Sequence, residues 1–127
     1  MSVGISTGGT KCMVIETIDQ GNGTIVLSFN GRCDFKSRHA YQVALDQAFQ
    51  KNPKLVIMDF AHVSYIDSAG LGLISLSHKK FSEKAMRLVI AAPSDPVKQI
   101  LNLANMGKHV PICDSIAAAG QTAIPPR

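Results

Sequence analysis

One stretch of the 127-residue chain places a hydroxyl, a carboxylate and two glycines within eight positions: Tyr65-Ile66-Asp67-Ser68-Ala69-Gly70-Leu71-Gly72. Three chemistries are open to it. Ser68 could accept a phosphate, because a hydroxyl at the start of a helix lies among backbone N–H groups and at the positive end of the helix dipole, where an anion is welcome. Gly70 and Gly72 would then let another protein's backbone come close to the hydroxyl. Ser68 could instead be a hydrolase nucleophile, but that chemistry needs Gly-x-Ser-x-Gly at a strand-to-helix turn, and Ile66 stands where the first glycine belongs. Finally, Ser68 could only cap the helix, with the glycines allowing close packing of helix on sheet. Spacing alone does not choose between capping and phosphorylation.

The remaining reactive side chains form no comparable constellation. His39, His62, His78 and His109 make no HExxH pattern, and Cys12, Cys33 and Cys113 are an odd, scattered set without a CxxC pair. Neither a metal site nor a disulfide framework is expected, and the cysteines read as buried reduced thiols. Gly70-Leu71-Gly72 is followed by Ser75 where a dinucleotide fingerprint has its third glycine, and no Walker lysine is present. No cofactor and no catalysis by the chain itself is therefore expected. Thirteen Lys+Arg against nine Asp+Glu give a net charge of +4, which raises a nucleic-acid or anionic-membrane partner. The densest basic cluster, Lys79, Lys80, Lys84 and Arg87, reads as a solvated helix face, so no direct nucleic-acid contact is expected.

Positioning Ser68 is the task of one domain. The length suits a single core, and 46% hydrophobic with 17% charged residues is a globular composition. The expectation is one domain over 1–127, with its core at about 11–119 and flexible ends at 1–10 and 120–127. No apolar run approaches the roughly 18 residues of a membrane span, and the N-terminus has no secretory pattern, so no membrane partner and a cytoplasmic location are expected.

Cys12–Ile15 and Thr24–Phe29 read as a hairpin around Gly21-Asn22-Gly23. Tyr41, Ala44, Leu45, Ala48 and Phe49 share one helical face, with Ser37 as N-cap and Asn52-Pro53 as the stop. Leu55–Phe60 reads as a central parallel strand and Ser68–Phe81 as the next helix, although Gly70 and Gly72 each cost about 1 kcal/mol there. Met86–Ala92 is another strand, Ser94 caps a helix that Gly107 stops, and a short strand at Val110–Cys113 precedes an Ala-rich helix beginning at Asp114 or Ser115. Alternating strands and helices make the class α/β, with a sheet parallel apart from its initial hairpin.

The sequence Asp59-Phe60-Ala61-His62-Val63-Ser64-Tyr65-Ile66-Asp67-Ser68-Ala69-Gly70-Leu71-Gly72 resembles the signature of bacterial anti-sigma-factor antagonists, single-domain members of the STAS family. Phe29-Asn30-Gly31-Arg32-Cys33-Asp34 is similar to the family's passage from second strand to first helix, and Pro96–Leu101 to its third helix. The resemblance implies a four- to five-stranded mixed sheet with about four helices, mainly on one face. It implies that Ser68 is the phosphoacceptor of an anti-sigma factor that is itself a GHKL-type serine kinase. The unphosphorylated chain would bind that partner and free a sigma factor, and a PP2C-type phosphatase would restore it. Asp67 would orient the hydroxyl or contact the kinase, and Ala69, Gly70, Leu71 and Gly72 would shape the contact surface. Asn30, Gly31 and Asp34 would lie on the same edge, with Arg32 as a specificity residue. Asp34 reads equally well as an ordinary helix-entry residue. Two departures stand out: Ala69 replaces a frequent Ser or Thr, leaving Ser68 the only hydroxyl of the motif's Asp-to-Gly interval, and Cys33 replaces an apolar residue. The same domain could serve a partner switch with a non-transcriptional output, such as motility, biofilm or secretion, or act as a ligand-binding or scaffold STAS domain.

Overall fold

Leu55-Val56-Ile57-Met58-Asp59-Phe60 is buried at every position, as a strand covered on both faces must be. The computed structural model describes residues 2–5 and 13–121. Six strands form one sheet in chain order: β1 (Ser2–Ile5), β2 (Val14–Asp19), β3 (Thr24–Cys33), β4 (Leu55–Ile66), β5 (Arg87–Ala91) and β6 (Ile112–Cys113). The pairs β1–β2 and β2–β3 are antiparallel, and the remaining pairs are parallel. The expected mixed α/β sheet, hairpin first and parallel strands after, is thus the one that forms. It has one strand more than expected, because Ser2–Ile5 pair along β2 within the segment 1–10 expected to be flexible. The hairpin's first strand starts at Val14 and runs to Asp19, later and longer than Cys12–Ile15; Cys12 lies outside the described residues.

Side chains alternate between the two faces of the sheet. Ile25, Leu27 and Phe29 of β3, Val56, Met58 and Phe60 of β4, and Leu88 and Ile90 of β5 join the large core beneath α1 (Arg38–Gln50), α2 (Ser68–Ser82) and α3 (Asp95–Leu103). Val26, Leu55, Ile57, Val89 and Ala91 face the other way, against α4 (Ile116–Gln121). Three helices on one face and one short helix on the other match the expectation. α4 reaches Gln121, inside the 120–127 segment, and 122–127 lie outside the described residues. Among the described residues no helix is long and apolar enough to cross a membrane.

Several local expectations change. Ser37 and Ser94 stand at the N-cap positions of α1 and α3, yet neither hydroxyl caps: Ser37 Oγ donates to the Arg32 carbonyl and to Asp34 Oδ1, and Ser94 Oγ to the Val63 carbonyl. Asn105, in the left-handed region at φ 55°, ends the α3 segment, while Gly107 belongs to a following 3-10 helix, Met106–Lys108. The central strand outruns Phe60 by six residues to Ile66. Its pairing with β3 slips twice, each time with one extra residue on β4, so Phe60, Val63 and Ile66 enter the core at three-residue spacing. This extension carries the strand directly to Asp67.

Candidate functional site

Asp67 is the N-cap of α2: its backbone is extended and Oδ1 accepts from the Gly70 amide at 3.0 Å. Its carbonyl accepts from the Leu71 amide at 2.9 Å. Capping thus falls to Asp67, and its carboxylate turns to the helix backbone and not to the Ser68 hydroxyl. Ser68 is the first helical residue, exposed, and its hydroxyl makes no hydrogen bond among the described residues. A serine relieved of the capping task at a helix N-terminus is open to chemistry from outside.

The two glycines divide. Gly70 is buried; a Cβ there would clash with the Cys33 carbonyl oxygen and reach 2.9 Å from Ile66 Cγ1 and 3.0 Å from Cys33 Sγ. It lets α2 settle on the end of β3, the close helix-on-sheet packing that was one of the readings of these glycines. Gly72 is exposed, and a Cβ there would meet nothing within 4 Å. Ala69 and Leu71 are half-buried, with Leu71 packed on the core.

The ends of β3 and β4 bring the second segment alongside. Arg32 pairs with Tyr65 and Cys33 with Ile66, and the Cys33 carbonyl accepts from the Asp67 amide at 3.3 Å. Asn30 and Gly31 are not in a loop: they lie within β3, opposite His62 and Val63, further back from Ser68 than Arg32 and Cys33. Gly31 takes φ 120° at the second slip, a conformation that requires glycine. Asp34 Oδ2 accepts from Arg32 Nε and Oδ1 from Ser37 Oγ, both at 3.1 Å, at the entry to the following helical segment. Burial works against the Asp34 charge, but these bonds prevail and hold its carboxyl below the usual carboxylate range.

Cys33 is fully buried, and burial, aided by Asp67 and Asp34, pushes its thiol up to about 12. It packs as a buried free thiol, as expected. Cys113 is half-buried, less so than expected. The basic cluster disperses: Lys80 bonds Asp46 at 2.8 Å and lies over the Phe49 ring, while Arg87 is half-buried on β5. The histidines hold one surprise, since His78 of α2 and His109 approach to 6.5 Å between ring centroids. Burial and then His109 lower the His78 pKa. Among the described residues no three His, Cys, Asp or Glu side chains gather as metal ligands.

Two features escaped the sequence: Arg32 lies over the Tyr65 ring and Arg38 over the Phe35 ring. Arg32 and Asp34, two apart in an extended chain, had to share a side, and this was the available signal.

The family model for the STAS domain matches residues 15–119. An anti-sigma F factor antagonist from Paenibacillus polymyxa is 21% identical over 99 residues, covering 77% of this chain and 85% of the relative. The crystal structure of an anti-sigma factor antagonist from Mycobacterium paratuberculosis superposes with a TM-score of 0.81 at 17% identity, over 94% of this chain and all of that one. The phosphorylated form of the Bacillus cell fate determinant SpoIIAA superposes with a TM-score of 0.65 at 19% identity, over 85% of this chain and 98% of that one. With its motif, its mixed sheet and most of its length in agreement, the chain belongs to the STAS domain family, in the company of anti-sigma factor antagonists.

Proposed function

We propose that this chain is a phosphorylation-controlled anti-sigma-factor antagonist, with Ser68 as its phosphoacceptor. In the unphosphorylated state it binds an anti-sigma factor that is also a GHKL-type serine kinase, and so releases a sigma factor in the cytoplasm. Phosphorylation ends the complex, and a PP2C-type phosphatase renews it. The observation that carries this is the division of labour at α2: Asp67 caps the helix, leaving the exposed Ser68 hydroxyl free. The Paenibacillus polymyxa and Mycobacterium paratuberculosis proteins are named anti-sigma factor antagonists, and the SpoIIAA structure is of a phosphorylated form.

The physics fits a switch read at an interface. A phosphoserine adds about −1.5 to −2 charge and three acceptor oxygens. At the helix N-terminus that charge is tolerated within the protein itself. Against a partner fitted to a neutral hydroxyl, it is not. The exposed Ser68 and Gly72 supply the open surface, Ala69 and Leu71 its borders, Asp67 and Gly70 its support, and Arg32, Gly31 and Asn30 the neighbouring strand, with Asp34 just past its end.

Pull-downs from the native cytosol with the wild type, Ser68→Ala and Ser68→Asp test the proposal, with mass spectrometry of the captured proteins and of Ser68. A GHKL-type kinase is expected with the first two and lost with the third. Equal capture by all three, with no phosphate on Ser68, overturns it.

A further inference from the structure

The region at the C-terminal ends of β3 and β4, which leads to Ser68, presents two guanidinium–aromatic stacks. The Arg32 guanidinium lies 4.5 Å from the centroid of Tyr65, and that of Arg38 lies 4.0 Å from Phe35. Phe35 is 60% exposed and Tyr65 39%. Arginine and aromatic residues dominate the energetics of protein interfaces, and stacking holds these side chains in place before any partner arrives. Asp34 holds the first stack from the side, accepting from Arg32 Nε as well as from Ser37 Oγ, and the 3-10 helix Phe35–Ser37 packs against α2, which Ser68 begins.

The charges of this region sort by direction. Its carboxylates are committed inward, Asp34 to Arg32 and Ser37, and Asp67 to the Gly70 amide. Its cations, Arg32, Lys36 and Arg38, are exposed, and Arg32 spends only Nε among the described residues. The four N–H groups on its Nη atoms remain available to a carboxylate. We infer that this patch docks an acidic segment of a protein partner, with Arg32 and Arg38 as its specificity-determining residues. Nucleic acid suits the patch poorly: the guanidinium groups cover ring faces that bases would need, and the Asp34 carboxylate is paired with Arg32.

The inference rests on the function proposed above in assigning the patch to the partner that reads Ser68, and it supplies a reason for the control. A phosphate on Ser68 brings about −1.5 to −2 charge to a region holding three exposed cations, and so cancels much of the attraction for an acidic segment.

The test titrates the isotope-labelled protein with a decaglutamate peptide at low salt, followed by NMR, with a ten-nucleotide single-stranded DNA as the second arm. Decaglutamate is expected to shift the amides of residues 32–38 and Tyr65. Affinity should fall about tenfold or more in Arg32→Glu/Arg38→Glu and stay unchanged in Lys79→Glu/Lys84→Glu. Arg32→Lys/Arg38→Lys keeps the charge, loses the stacking geometry, and should fall between. Shifts as large around Lys79–Lys84 as around Arg32–Arg38, or tighter binding of the DNA at this patch, overturn the inference. Phosphoserine installed genetically at position 68 should weaken decaglutamate binding several-fold; unchanged binding removes the patch from the switch. Since none of these arms involves a kinase, failure here alongside a working Ser68 response in the pull-downs convicts the patch alone, and the reverse convicts the switch alone.

Discussion

Gly70 and Gly72 stand two residues apart in one helix and answer to opposite demands. Gly70 faces inward, where the carbonyl and sulfur of Cys33 leave no room for a side chain. Gly72 faces outward into open space, and nothing in the fold requires it. The same contrast separates the Asp67 carboxylate, bound to the helix backbone, from the Ser68 hydroxyl, which makes no hydrogen bond among the described residues. A single short motif therefore holds two sets of residues, one that builds the turn and one that the turn displays.

Substitutions should expose this division in order of size. Gly70→Ala is expected to cost about 3 kcal/mol by overpacking α2 against β3, measured by urea unfolding. A loss near zero would mean the helix can lift from Cys33, and the contrast would collapse. Asp67→Ala should lose about 1 kcal/mol as the cap disappears. Gly72→Ala should run the other way, gaining up to about 1 kcal/mol from better helix propensity while weakening capture of the partner in the pull-down. A stabilised variant with full capture would make Gly72 an idle residue.

The smallest effect concerns pH. The folded-state Asp34 carboxyl lies below its unfolded value, so its contribution to stability is complete above about pH 4 and is lost as pH falls through the folded value. Arg32→Gln should flatten that acid limb of the unfolding curve, read by thermal melts across about pH 2–5, which spans the ordinary aspartate range. An unchanged limb would show that Arg32 does not hold Asp34 in solution.

Much of this was legible in the chain because local pattern and tertiary context agreed. The apolar run at Leu55–Phe60, the helical face of Tyr41, Ala44, Leu45 and Ala48, and the Asp-Ser-x-Gly-Leu-Gly stretch each carried their own period or spacing. The continuation of β4 to Ile66 was hidden, since two register slips change its burial period from two to three. The capping serines misled because Ser37 and Ser94 found better partners across the fold, in Arg32, Asp34 and Val63. Close packing by the glycines was among the readings open to the sequence, but that it falls to Gly70 and not to Gly72 depends on Cys33, 37 positions away (70 − 33) and brought near only by strand pairing. Long-range placement, and not residue type, decided each of these cases.

The central strand runs to Ile66, and α2 starts at Ser68, so a single residue, Asp67, separates them. Ser68 stands on a post with no hinge beneath it. A mark placed there has no slack backbone through which to trigger a rearrangement, so its message travels outward as surface charge. The tempo of such a signal would belong to the enzymes that write and erase it, with the domain itself serving as a rigid signboard.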